Sequence, residues 1–166
     1  MSSKKTPSPG PYKTWGRSRS VRLRNYDYAA PHACLVTFCT AGRRPVLSGA
    51  LADALQERLT RAAQHGRFRL WAWCIMPDHV HVVVEPPGDG PGVSEFVRRV
   101  KGWTTARARH LGVTGALWQK RFHDRVLRPS ERPEQVAAYI VGNPVRKHLI
   151  REGETWPWAY LDPEAI

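Results

Sequence analysis

Cysteine is scarce in this chain: three in 166 residues, with no Cys-x-x-Cys pair among them. Neither a disulfide framework nor a thiolate zinc cage is expected, and Cys34, Cys39 and Cys74, each inside an apolar stretch, read as small buried hydrophobes. Acidic residues are also few. Fourteen Asp and Glu stand against 26 Lys and Arg, a formal net charge of +12 with a pI near 10.4, which is the electrostatic footprint of a polyanion binder, nucleic acid first. No apolar run reaches the roughly 18 residues that a bilayer span needs, and the opening MSSKKTPSPG has no hydrophobic centre of a secretory signal. The expectation is a cytoplasmic protein with no membrane partner. No Walker-type phosphate loop is present, so ATP chemistry is not expected. A two-histidine phosphoesterase would want a second His-x-Ser/Thr string, and there is none.

The length suits one compact domain and is too short for two ordinary ones. Residues 1–26, rich in Lys, Arg, Ser, Pro and Gly with no acid before Asp27, read as a flexible basic arm, 27–160 as a single domain and 161–166 as a tail. Within the domain, 32–40 reads as a strand. Leu51, Leu55 and Leu59 mark a helix that Ser48 caps and Gly66 follows. Residues 68–76 and 79–85 read as a hairpin closed by Pro77-Asp78. A second helix over 93–112 turns Phe96, Val100 and Trp103 inward and Arg98, Arg99, Lys101 and Arg109 largely outward. Residues 116–128 read as a strand or tight hairpin, and 133–143 as a third helix stopped or kinked by Pro144. The order is that of a ferredoxin-like βαββαβ sandwich of α+β class: an antiparallel sheet with helices on one face, plus an additional C-terminal helix. The closing WPWAYLDP is expected to pack back on the domain, and Trp71, Trp73 and Trp103 to belong to the core.

The chemistry begins in PDHVHVVVEP, residues 77–86. Successive side chains of a strand face opposite ways, so His79 and His81 share one face while Val80, Val82 and Val84 share the other. Two imidazoles held side by side on a rigid strand are a ligand pair for a divalent cation. In the third helix Tyr139 and Asn143 stand four apart, a spacing that presents phenol and amide in one direction.

The His-hydrophobe-His strand, the segment Trp118-Gln119-x-Arg121-Phe122 and the downstream Tyr139-x-x-x-Asn143-Pro144-Val145-Arg146 occur in an order that resembles the IS200-like single-tyrosine HUH transposases, in particular their REP-associated tyrosine transposase branch. The likeness runs over roughly residues 20–160. It implies that His79 and His81 bind a metal, Mg²⁺ or Mn²⁺, that Asn143 completes the site, and that Tyr139 is the nucleophile. Asp78 stands where the branch more often has Asn. A free phenol titrates near pH 10 and is a weak nucleophile at neutral pH without electrostatic help; ligand type alone leaves Zn, Mn and Mg open.

The resemblance further implies a bacterial, nucleoid-associated enzyme that nicks and rejoins single-stranded or hairpin DNA of palindromic repeats through a 5′-phosphotyrosine, and a homodimer across which the tyrosine helix can be donated. Arg43, Arg44, Arg98, Arg99, Lys101, Lys120, Arg121 and Arg146 are the candidate phosphate contacts, chosen from charge and expected exposure. The alternative is a non-catalytic nucleic-acid-binding module of the same fold, although the sheet-face aromatics of an RNA-recognition motif are not evident.

Overall fold

Residues 31–165 are described by the computed structural model; the basic arm expected over 1–26 lies outside them. Strand β1 (Cys34–Cys39) leads through a 3₁₀ turn to helix α1 (Gly49–Gly66), then to the hairpin of β2 (Arg69–Met76) and β3 (His79–Glu85). Helix α2 (Val93–His110), strand β4 (His123–Val126), helices α3 (Pro133–Val141) and α4 (Asn143–Arg146), and strand β5 (Ala159–Leu161) follow. The strands form one antiparallel sheet in the order β4-β1-β3-β2-β5. The first six elements are the expected ferredoxin-like set, and the aromatic C-terminal segment adds β5 at the β2 edge.

Two hydrophobic clusters lie on the two faces of this sheet. On one, Val36, Phe38, Ile75, Val80, Val82 and Val84 meet Leu51, Leu55 and Leu59 of α1 and Phe96, Val97 and Val100 of α2. On the other, Leu35, Trp71, Ala72 and Val83 meet Val136, Ala137 and Ile140 of α3. The additional helix therefore covers the face that α1 and α2 leave open. The helix expected over 133–143 ends at Val141: Gly142 separates it from α4, and Asn143 and Pro144 belong to α4, where Pro144 takes an early position that needs no N–H donor.

Two further expectations need correction. Gly66 is the last residue of α1, not the one beyond it, and Arg67 takes the left-handed conformation (φ 56°) that ends the helix. Glycine is required at 66 for room, because a Cβ there would come within 2.4 Å of the Phe68 ring. Trp103 is 40% exposed, whereas Phe96 is fully buried and Val100 likewise. The inward stripe of α2 runs through Phe96, Val97, Val100, Thr104 and Ala108, and Trp103 falls beside it.

The Trp118–Phe122 segment is a fastening. The Trp118 ring packs edge-on against Phe38 at 5.0 Å, and its Nε1 donates to Thr104 Oγ1 of α2 at 2.9 Å. Lys101 Nζ donates to the carbonyls of Gln119 and Arg121 at 2.9 and 3.0 Å, and burial brings its ammonium down to about 8.

Because a phenyl group removed from a packed core forfeits transfer energy and leaves a cavity, Phe96→Ala is expected to lower the unfolding free energy in urea by about 3–5 kcal/mol. Trp103→Ala should cost under about 1 kcal/mol in the same titration.

Candidate active site

The face that carries α3 also carries the histidines. Reading across the sheet, His123, Thr37, His81 and Cys74 form one row, and Cys39, His79 and Met76 the next. Paired residues of antiparallel strands project to the same side, so the imidazoles stand between β1 and β2 neighbours and away from the valine core.

Both rings are oriented through Nδ1. Asp78 Oδ1 lies 2.5 Å from His79 Nδ1 and is itself steadied by Arg43, whose Nε is 2.9 Å from Asp78 Oδ2. Thr37 Oγ1 lies 2.8 Å from His81 Nδ1. The two Nε2 atoms are then left facing one another at 3.0 Å, the rings nearly perpendicular at 85°. One proton arrangement satisfies all four nitrogens: His79 Nδ1–H donates to Asp78, the Thr37 hydroxyl donates to His81 Nδ1, and His81 Nε2–H donates to His79 Nε2. Moving the His81 proton to Nδ1, where Thr37 can accept it, turns both Nε2 lone pairs toward a single point. That donor set fits a divalent cation, with the outer partners that fix a ligating histidine's tautomer already in place.

Burial, the neighbouring His79 and the charges of Arg43, Arg146 and Lys147 push His81 down to about 3. His79 is lowered too, mainly by burial, with Asp78 working the other way. His81 is thus neutral, the form that binds metal, well below pH 7, and burial biases His79 in the same direction. Among the described residues no group of three or more His, Cys, Asp or Glu side chains has metal-holding geometry. Any third protein ligand has to be of another kind, and an amide oxygen is one. Cys74, next to His81 in its row, is pushed by burial up to about 12 and stays a thiol.

Tyr139 projects from α3 at the margin of the cluster that fastens this helix to the sheet. Asn143 opens α4. Arg146 ties the two together: its guanidinium lies 3.9 Å from the centre of the Tyr139 ring, and its Nη2 donates to the Tyr139 carbonyl and to Asn143 Oδ1 at 2.7 Å. Its charge, with that of Lys147, is among the lesser causes that lower His81.

The candidate phosphate contacts divide. Arg43 and Arg146 belong to the site. Arg44 donates to the Thr114 and Ala116 carbonyls at 3.0 and 2.6 Å, and Lys101 is the bracket already described. Arg98 and Arg99 both bond Glu95, whose carboxyl they hold down at about 2. Lys120 and Arg121 stand exposed. On the opposite layer Arg58, Arg61, His65 and Arg99 line an open groove between α1 and α2. Thr37 escapes sequence reasoning because only the β1–β3 register brings it to His81. Asp78 is visible there, but its bond to His79 is not.

Burial of a neutral His81 ties stability to pH. Above pH 6.5 the ring is neutral in both folded and unfolded chains and contributes no pH dependence. Between 6.5 and about 3 only the unfolded chain takes up the proton, so stability falls as pH falls. Urea unfolding of wild type against His81→Gln is expected to show an excess loss approaching about 1.4 kcal/mol per pH unit from pH 6 to 4, the one-proton slope. Parallel profiles would refute the burial of a neutral ring.

A family model described as "Transposase IS200 like" matches residues 31–143. The REP-associated tyrosine transposase of Escherichia coli K12 is 24% identical over 117 residues, which cover 70% of this chain and 68% of that protein. A solved REP-associated tyrosine transposase bound to a REP hairpin superposes with a TM-score of 0.68 at 22% identity, covering 83% of this chain and 81% of the other; this speaks for the fold. A Deinococcus radiodurans R1 structure solved as a candidate transposase matches at TM-score 0.52 and 26% identity, over 72% of this chain and 94% of its own. The family match takes in the histidine strand and the whole of α3, and with it the chain belongs to the IS200-like transposases, an enzyme family.

Proposed function

We propose that this transposase cuts and rejoins single-stranded DNA of hairpin-forming repeats, with Tyr139 as the nucleophile and with His79, His81 and Asn143 holding Mg²⁺ or Mn²⁺. The observation that carries this reading is the convergence of two neutral, Nδ1-anchored imidazoles on the same sheet face that receives the Tyr139 helix. The substrate class is supported by two relatives: the Escherichia coli protein is named for its association with REP elements, and the solved neighbour is bound to a REP hairpin.

When bound, the cation supplies charge neutralisation and Lewis-acid polarisation at a non-bridging phosphate oxygen. The chain's own groups do the rest. Tyr139 presents its phenolic oxygen for in-line attack on phosphorus, the bond from phosphorus to the 3′ oxygen breaks, and the 5′ phosphate remains on the tyrosine. The released 3′-hydroxyl, or another, reverses the step without ATP because the phosphodiester bond energy is kept in the phosphotyrosine. Asp78 and Thr37 keep the imidazoles aligned, and Arg43, Arg146 and Lys147 set a positive potential for the incoming phosphate.

With a single-stranded hairpin oligonucleotide and Mn²⁺, wild-type protein is expected to give an SDS-resistant protein–DNA adduct that EDTA abolishes. Tyr139→Phe should lose the adduct and keep binding within about threefold, since one hydroxyl contributes little to a many-phosphate footprint. Cleavage by Tyr139→Phe at the wild-type rate refutes the nucleophile. Binding that is indifferent to EDTA, with no adduct from wild type, favours the non-catalytic module.

The division among the basic residues makes a separate prediction. Lys120→Ala and Arg121→Ala should each reduce the slope of log affinity against log salt by about 0.7, the single-strand value per phosphate. Arg44→Ala and Lys101→Ala, whose donors hold backbone carbonyls, should instead lower the melting temperature.

A further inference from the structure

Asn143 cannot serve a cation and Arg146 with full strength at once. Its Oδ1 accepts from Arg146 Nη2 at 2.7 Å, and an oxygen that already takes a charge-assisted hydrogen bond gives less electron density to a second cation. The arginine is held in that position from three sides: by the Tyr139 ring beneath it, by the Tyr139 carbonyl and by the Asn143 amide. Gly142 makes room for it, since a Cβ at 142 would come within 2.7 Å of Arg146 Nη1. Gly142 has an ordinary right-handed conformation (φ −78°, ψ −1°), so its missing side chain serves this approach and not a backbone strain.

We propose that Arg146 is a substrate-released latch on Asn143: in the DNA-free chain its guanidinium holds the Asn143 carbonyl oxygen, and a phosphodiester arriving beside Tyr139 draws it away, making that oxygen available to the cation. The inference rests on the assignment of Asn143 as a cation ligand. The direction follows from donor chemistry. Guanidinium meets a phosphate anion with two parallel bonds between opposite charges, in place of single bonds to two neutral oxygens, those of the Tyr139 carbonyl and the Asn143 amide. The exchange is therefore favourable when DNA is present and absent otherwise. DNA and cation then bind with positive coupling, each tightening the other by the same factor. A chain carrying a nucleophilic tyrosine thereby has its metal site complete only when a phosphate is in place.

The test uses the full chain in a Tyr139→Phe background, so that no cleavage accompanies binding, with Mn²⁺ titrated by electron paramagnetic resonance and folding checked by melting temperature. Without DNA, Arg146→Ala is expected to bind Mn²⁺ about three- to tenfold more tightly, as removal of a latch that occupies most of the population requires. Arg146→Lys keeps the charge but lacks the planar fork that bonds Asn143 Oδ1 and the Tyr139 carbonyl together, and it should tighten Mn²⁺ in the same direction. Adding a single-stranded hairpin oligonucleotide should tighten Mn²⁺ in the parent and in Arg146→Ala, because a phosphate oxygen meets the cation in either, but by a factor about three- to tenfold larger in the parent; equal factors would overturn the latch. Tightening in Arg146→Ala but not in Arg146→Lys would mean plain charge repulsion and would overturn the latch, as would no tightening in either. His81→Ala in the same background separates the two levels. If it binds Mn²⁺ like the parent, the cation site itself is misplaced; if it loses Mn²⁺ while the latch variants leave affinity unchanged, only the latch falls.

Discussion

Strand β3 has to satisfy two environments at once, and the site depends on that. Val80, Val82 and Val84 are fully buried against the α1–α2 layer, while His79 and His81 alternate with them on the other face. A slip of one residue in register would exchange the sets and place imidazoles in the apolar core. Each buried valine is worth about 1.5 kcal/mol or more, so three of them outweigh the cost of half-burying two neutral rings whose nitrogens are all partnered. The rigidity of the histidine pair is thus borrowed from the opposite face.

The electrostatics around the rings follow from the same burial. A surplus of positive charge beside the proposed metal site is unfavourable for a cation, yet Arg43, Arg146 and Lys147 all act on these imidazoles. They add to the burial that chiefly disfavours protonation of the rings, and a protonated imidazole has no lone pair to offer. Asp78 offsets part of the surplus locally, bonded to His79 on one oxygen and to Arg43 on the other. Aspartate at this position does more than a neutral amide would, because it counters a cation and orients a ring with the same group.

Whatever depends on local period is legible in the sequence. The alternation of β3, the leucine stripe of α1 and the apolar spacing of α3 are short-range patterns, and they locate the histidine pair, the sandwich and the helix of Tyr139, though that helix breaks at Gly142 and not at Pro144. Features set by long-range pairing are not legible. Thr37 reaches His81 only through strand register, and α3 lies on the face opposite α1 and α2 because that face is the one left open, which no periodicity states. Charged residues are the least readable. Lys101 and Arg44 look like surface cations in the sequence, whereas in the fold their donors hold backbone carbonyls of the 114–121 connection. The net charge of +12 therefore overstates the charge free to meet phosphate. Trp103 reads as inward because it stands at a spacing that a slightly wider apolar stripe would bury, and α2 has a narrower one.

Whether the tyrosine serves its own histidines or a partner's turns on the connection between β4 and α3. Exchange of a helix between two copies keeps the helix's contacts and changes only the hinge, so packing of α3 does not by itself decide. The hinge here is short and pinned. Leu127 is buried and its N–H donates to the Ala33 carbonyl at 2.8 Å. Glu131 accepts from Arg125 Nη1 at 2.5 Å and from the Arg128 backbone N–H at 2.8 Å. Opening residues 128–132 would release both bonds to Glu131, which lie in the hinge and not in the exchanged helix. The two bonds to Glu131, about 1 kcal/mol each net, are what an exchange of α3 between copies has to break, whereas the packing of Leu127 against α3 is kept in either arrangement.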